Sequence, residues 1–289
     1  MKFAICNETF QDWPLERAAA FAAECGYTGF EIAPFTLGSD IRLISTARRS
    51  EIHRTIADAG LQTVGLHWLL AKTQGLHLTS PDAATRRRTS EYLGDLARLC
   101  RDLGGWVLVF GSPQQRNMLP GVGVHEARDY AVEVITAALP AFEETGTTLA
   151  IEPLTPADTN FLTMACAGAD LVDRVGSPHC RLHLDCRAMA TEPTPIPELI
   201  NEFRSYLVHF HVNDPNSQGP GFGKLDFRPI LDALGRIDYR GWVSVEVFDY
   251  TPGVERLAKE SIVYLRECLD ALAQGHSPLG IHELEDRIE

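Results

Sequence analysis

The sequence predicts a single (β/α)₈ barrel of the TIM type, in the α/β class. Three observations carry that expectation. Eight short runs rich in β-branched residues alternate with longer segments of helical period, the pattern of a parallel sheet with crossover helices. The 289 residues allow about 36 per βα unit, normal for this barrel. The turn after the first run, Asn7-Glu8-Thr9-Phe10-Gln11, lacks the glycine-rich fingerprint of a doubly wound sheet.

Strands are expected at 2–6, 29–33, 62–67, 106–111, 147–152, 180–185, 207–212 and 242–247. Several are apolar almost throughout, as strands covered on both faces should be. Helices are expected at 14–25, 46–59, 82–103, 125–144, 165–175, 195–204, 227–235 and 254–273. Gly26, Gly60, Gly104 and Gly146 follow their helices as stops, and Ser80-Pro81 reads as the opening of the third. No linker divides the chain, so residues 1–275 read as one barrel and 276–289 as a polar, acidic tail.

Composition excludes several classes. The formal net charge is −13, without the basic stripe that a nucleic-acid surface needs to release counterions. The one dense basic run, Arg86-Arg87-Arg88, reads as a solvated helix face. No stretch approaches eighteen consecutive apolar residues, and no signal-peptide core follows Met1, so no membrane partner is expected and the cytoplasm is the expected compartment. The seven scattered cysteines form no CxxC pair, which argues against a disulfide framework or a zinc knuckle. Cys186 stands out only because it follows an acidic strand end.

The sharpest signal is positional. The fifth to eighth strands each carry a ligand-type residue at or near the C-terminal end: Glu152, Asp185, His211 and Glu246, spaced by 33, 26 and 35 residues. In a closed barrel such residues meet at one mouth, where barrel active sites lie. Isolated charges cannot be buried there, and three carboxylates together raise one another's pKa values. No basic residue is embedded in these strand ends, so a divalent cation is the expected partner. Three carboxylates and an imidazole suit Mn²⁺ first, with Mg²⁺, Co²⁺ or Zn²⁺ as alternatives. His183 and His209 lie two residues deeper on the same faces and read as supporting or core histidines. His67 and Trp68, at the end of the third strand, are at the correct rim for substrate contact, with packing of His67 beside Trp68 the equal alternative for it.

At these residues the chain resembles the xylose-isomerase-like sugar isomerase/epimerase superfamily, nearest its D-tagatose/D-psicose 3-epimerase branch. The carriers are Glu152-Pro153-Leu154 with Asp158-Thr159-Asn160-Phe161-Leu162, then His183-Leu184-Asp185, His209-Phe210-His211-Val212, Gly219-Pro220-Gly221-Phe222-Gly223 with Asp226-Phe227, and Val245-Glu246. The resemblance implies metal ligation by Glu152, Asp185, His211 and Glu246, proton transfer by the two glutamates, a carbohydrate substrate and a homo-oligomer. It also exposes departures. Thr155-Pro156-Ala157-Asp158 stands where relatives carry an Asn-Arg pair and a second Glu, Ala188 where they carry a histidine, and Asn213-Asp214-Pro215-Asn216-Ser217-Gln218 where they offer an arginine. Asp158 and Arg187 are the candidates to replace those substrate contacts. The Gly219–Lys224 run lacks the spacing of a phosphate-binding loop and reads as a tight loop over the mouth.

The expected chemistry is isomerisation or epimerisation of a sugar or keto-sugar through a metal-stabilised enediolate, with two glutamates as acid and base. Three alternatives share these residues. One is a dehydratase or lyase that eliminates from the same enediolate, and another a sugar-binding or accessory barrel without catalysis. The third is an AP-endonuclease-type phosphodiesterase, which would recruit Glu31 and His67 and which the charge balance opposes.

Overall fold

The computed structural model describes residues 1–274; the expected tail, 276–289, lies outside them. Eight parallel strands, β1 (Lys2–Cys6), β2 (Gly29–Ile32), β3 (Gln62–Leu66), β4 (Val107–Phe110), β5 (Thr148–Ile151), β6 (Cys180–Asp185), β7 (Leu207–Val212) and β8 (Trp242–Val245), pair in chain order. β8 also pairs with β1, through Lys2–Trp242 to Ile5–Val245, so the barrel is closed. Around it run α1 (Leu15–Cys25), α2 (Thr46–Asp58), α3 (Ala83–Asp102), α4 (Val124–Thr145), α5 (Ala165–Val175), α6 (Cys186–Met189), α7 (Ile196–Glu202), α8 (Arg228–Arg236) and α9 (Val254–Ala273).

The expected eight strands and eight long helices are all present, and the differences are local. α6 is an extra single turn, opened directly by Asp185, whose Oδ1 accepts the Ala188 N–H at 2.8 Å. The third helix is capped by Asp82, which accepts from the Ala84 and Thr85 N–H groups, and not by Ser80-Pro81. A carboxylate two or three residues before free helical N–H groups satisfies them better than the earlier hydroxyl can. The four glycine stops all take positive φ, from 66° at Gly146 to 96° at Gly26, where a side chain would be strained.

Most of the core lies between the barrel and its helices; a smaller cluster of Ala4, Val64, Val107, Val109, Ala150 and Trp242 forms a separate one. Gly29 leaves room for the Trp242 indole, because a Cβ there would lie 2.6 Å from the ring. Above these apolar residues the strands carry polar groups toward the mouth. The sheet register shifts between Phe30 and Glu31 and between Leu182 and His183. Bulges re-aim side chains, and here they bring the buried Glu31 and His183 beside His211.

The basic run departs from expectation at one residue. Arg86 is buried, bonded to the Ser80 and Pro81 carbonyls and to Glu133, and stacked on Tyr130. Arg87 and Arg88 are exposed, as a solvated face requires.

Candidate active site

Asp185 and His211 are partners in register on neighbouring strands, while Glu152 and Glu246 follow directly on β5 and β8. Parallel strands of matched length therefore deliver all four side chains to one rim. One donor atom from each lies within 4.8 Å of the others, and all four residues are buried. This is the constellation that the strand-end spacing predicts.

Each member is oriented by a neighbour. His211 Nε2 sits 3.2 Å from both oxygens of Glu31, which accept its proton, and this leaves Nδ1 facing Glu246 Oε2 at 3.0 Å. A carboxylate behind an imidazole fixes its tautomer in this way in metal sites. His209 Nε2 donates to Glu31 at 2.8 Å, so that carboxylate is shared by two histidines. Asp185 Oδ2 accepts from Asn213 Nδ2 at 2.7 Å. Glu246 Oε1 accepts from Trp68 Nε1 at 2.8 Å and faces His67 Nδ1 at 3.1 Å. Trp68 reaches it from a left-handed backbone, φ 54°, a strained conformation of the kind found at functional sites.

Electrostatics divides the carboxylates. Burial, reinforced by Glu246 and Asp185, pushes Glu152 well above the usual carboxylate range. Burial, followed by Glu246, pushes Asp185 up to about 6. Burial acts on Glu246 too, but His211 and His67 outweigh it and hold that carboxyl far below the usual range. Burial is likewise outweighed at Glu31, by His209 and His211. Three converging acids thus lack enough positive charge for all to ionise. A divalent cation fits the residues present, because its charge supplies what the protein does not.

One pH dependence follows. Asp185 lies above its unfolded value, so its proton stabilises the metal-free fold completely below pH ~4, and that contribution is lost as pH rises through about 6. Metal needs the ionised form, so the sign reverses for binding. Metal affinity should climb as pH rises from 5 toward 7, by about tenfold per pH unit for each proton displaced. Calorimetric titration in buffers of different ionisation enthalpy counts those protons. An affinity flat across pH 5–7 would contradict the picture.

Asp158 and Arg187 are brought together: Arg187 Nη1 donates to Asp158 Oδ2 at 2.6 Å, and Thr155 supports the carboxylate at 2.9 Å. The pair lines a cavity of about 130 Å³ with Glu152, Glu246, Trp68, Gly111 and Phe248. His67 is fully enclosed behind Glu246, between it and Glu8 Oε2 at 2.8 Å. Of the four expected substrate contacts, Asp158, Arg187 and Trp68 face this cavity, and His67 stands behind a glutamate. Cys186 is buried, its thiol pushed well up by burial and then by Asp185. Cys6 joins a second group with Glu8, His67 and Glu246, but its thiol is pushed up to about 11, chiefly by burial, which makes it a poor ligand.

Several functional neighbours escape the sequence reading. Asn213 is legible in retrospect as a polar residue two places past His211 on the same face. Asp214 is fully buried and accepts N–H groups from Gly221, Gly223 and Leu225, which folds the glycine-rich loop around one carboxylate. Arg116 has no local signal. It is fully buried, its guanidinium pushed down to about 10 by burial, and it donates to the carbonyls of Phe110 (3.2 Å) and Glu152 (2.6 Å). A basic residue is therefore embedded beside the strand ends after all, holding the Glu152 backbone and forming no ion pair with its carboxylate. Arg116→Met strands both carbonyls and should cost about 1–3 kcal/mol of stability, read by urea denaturation.

The xylose isomerase-like TIM barrel model matches residues 19–268. The chain belongs to this family. Within it, the chain is 28% identical over 267 residues to the L-ribulose 3-epimerase of Mesorhizobium japonicum, covering 90% of this chain and 84% of that protein. It is 23% identical over 279 residues to the 3-dehydro-D-guloside 4-epimerase of Escherichia coli K12, covering 93% of this chain and all of that protein. Among solved structures, a D-psicose 3-epimerase in the presence of D-fructose superposes with a TM-score of 0.82 at 21% identity, over 93% of this chain and 99% of that one. The family's barrel is thus kept along nearly the whole length. Among the described residues of this family member, no helix is long and apolar enough to cross a membrane.

Proposed function

We propose that the protein is a divalent-metal-dependent sugar isomerase or epimerase, moving a proton at a carbon next to a ketose carbonyl. The observation that carries this is the convergence of Glu152, Asp185, His211 and Glu246 on one rim, with both glutamates opening into the same cavity. These four residues would hold the metal, Mn²⁺ foremost on their donor chemistry. When bound, the metal supplies Lewis-acid polarisation of the substrate carbonyl and offsets the carboxylate repulsion.

The chain's own residues supply the rest. Glu152 and Glu246 follow β5 and β8, which are not neighbours in the barrel, and both line the cavity, so a substrate carbon held between them would meet a carboxylate on each face. Taking a proton on one face and returning it on the other inverts the centre; returning it to the adjacent carbon interconverts aldose and ketose. Glu246 Oε1 is anchored by Trp68 and His67, which makes His67 a positioning residue. The Arg187–Asp158 pair offers donors and an acceptor to substrate hydroxyls, and Trp68 and Phe248 offer apolar faces. Relatives are named as a 3-epimerase and a 4-epimerase, and either reaction moves a proton at a carbon that can lie beside a carbonyl, so this apparatus suits both.

The test is deuterium incorporation from D₂O into a panel of ketoses by the metal-loaded protein, read by NMR. Exchange at a single carbon beside the carbonyl is expected. No exchange with any ketose and any of the four metals would sink the reading. Exchange with loss of water or an aglycone would favour the second reading, elimination, which the replaced substrate contacts around Ala188 and Asp158 support. Metal at a hundredfold excess over its Kd should add ~2.7 kcal/mol of stability, so a chelator should lower Tm. Homo-oligomerisation, implied by the family resemblance, is checked by analytical ultracentrifugation.

A further inference from the structure

Glu8 sits in a single 3₁₀ turn, Asn7–Phe10, directly after β1, and every residue of that turn is buried. Asn7 ties the turn to the loop after β2, accepting the Ala33 N–H at 2.7 Å and donating to Thr36 Oγ1 at 2.8 Å. On this fixed backbone Glu8 Oε2 lies 2.8 Å from His67 Nε2. Among the described residues, neither Glu8 oxygen nor that nitrogen has another hydrogen-bonding partner. The opposite nitrogen of the ring, Nδ1, faces Glu246 Oε1 at 3.1 Å. Glu8, His67 and Glu246 thus form one buried chain, from the loop after β1 through the end of β3 to the end of β8. Neither Glu8 nor His67 lines the cavity beside the glutamates.

Two physical points give this chain a role. A buried carboxylate costs the fold, and well-packed apolar residues in place of a buried ion pair are often neutral or stabilising. Stability therefore does not account for a carboxylate at this position. The second point is orientation. An imidazole held at one nitrogen can turn, whereas one with a carboxylate at each nitrogen is held at both ends. Whether the proton between Glu8 and Nε2 rests on one or the other, Nδ1 keeps its hydrogen and points it at Glu246. Oε1 of Glu246 also receives the Trp68 indole N–H at 2.8 Å, so two donors together fix that oxygen.

Resting on the reading above, we propose that Glu8 is a positioning residue for proton transfer, acting through His67 to hold the Glu246 carboxylate in place at the rim.

The test uses Glu8→Leu, Glu8→Gln, His67→Leu and the double variant Glu8→Leu/His67→Leu. In metal-free protein the Trp68 indole N–H resonance, assigned by its loss in Trp68→Phe, reports the placement of Glu246 Oε1 without any turnover. Glu8→Leu should move it as His67→Leu does, and Glu8→Gln, which can still bond the ring, should return it toward the wild-type position. In the metal-loaded enzyme Glu8→Leu should lower kcat for deuterium exchange by about 10–100-fold, the usual cost of losing a group that orients a metal ligand. KM should change little, and Tm should be equal or higher. The double variant should be no slower than His67→Leu alone, because residues acting as one chain are not additive. An unmoved indole resonance overturns the proposal, as does a Glu8→Leu enzyme with wild-type kcat. Losses that multiply in the double variant overturn it too, since Glu8 would then act without His67. A Glu8→Leu protein that melts early or fails to fold assigns the residue to stability and removes the positioning role. Wild-type protein that exchanges deuterium into no ketose sinks the proton-transfer reading instead, and the indole resonance then decides by itself whether Glu8 places Glu246.

Discussion

Glu246→Gln should lower the exchange rate by ~10²–10⁴-fold, the usual contribution of a positioned acid–base group, while the barrel stays folded. The carboxylate is held ionised against burial by His211 and His67, and its two oxygens are addressed separately. Oε1 receives the Trp68 indole N–H and faces His67; Oε2 faces His211. Glutamine keeps the shape but loses the charge and turns a donor toward groups that need an acceptor. It can neither take a proton nor balance the imidazoles around it. The fold is insulated because Glu246 follows β8 and makes no ladder contact with its side chain. Steady-state exchange, Tm and metal affinity measured on one preparation separate the effects. Turnover within tenfold of wild type would remove Glu246 from proton transfer.

Gly111→Ala should damage the site almost as severely, though the residue carries no chemistry. A Cβ at Gly111 would overlap Glu152 Oε2 and lie 2.8 Å from its Cδ. All three nearest heavy atoms belong to that one side chain. The obstruction is therefore the end of a rotatable group, and the backbone can stay where it is. The cost falls on position: the Glu152 carboxylate must swing away from Asp185, His211 and Glu246. Displacements of about 1 Å in a catalytic constellation cost ~10²-fold, and a fall of that order in kcat is expected. Metal affinity should fall with it, while Tm in chelator hardly changes. A Gly111→Ala protein with normal kcat would mean that Glu152 works from another rotamer.

The two predictions differ in how they could have been seen. Glu246 is legible as an acid at the end of an apolar strand, at the same place in its βα unit as Glu152, Asp185 and His211 in theirs. Gly111 is one glycine among 23, and nothing local distinguishes it. Trp68 lies between: its rim position marks it for the substrate, and its bond to Glu246 is a contact that only the tertiary structure sets. Arg86 departs from the solvated face because helical period alone does not encode that the loop before the helix folds back and offers it two carbonyls.

Periodicity, glycine stops and strand-end polarity were enough to determine the barrel and the convergence of four ligand-type residues on one rim. Those features are local or repeat once per βα unit, and closure of the barrel does the rest. What the tertiary structure alone decided are contacts between residues far apart in the chain. Glu31 behind His211, Glu8 and Glu246 on either side of His67, and Arg116 under the Glu152 carbonyl each join different strands or loops. Such pairings depend on register shifts of one residue and on loop paths, which hydrophobic period does not encode. The chemistry of the mouth was therefore readable from the chain, while the tuning of that chemistry and the shape offered to the substrate were not.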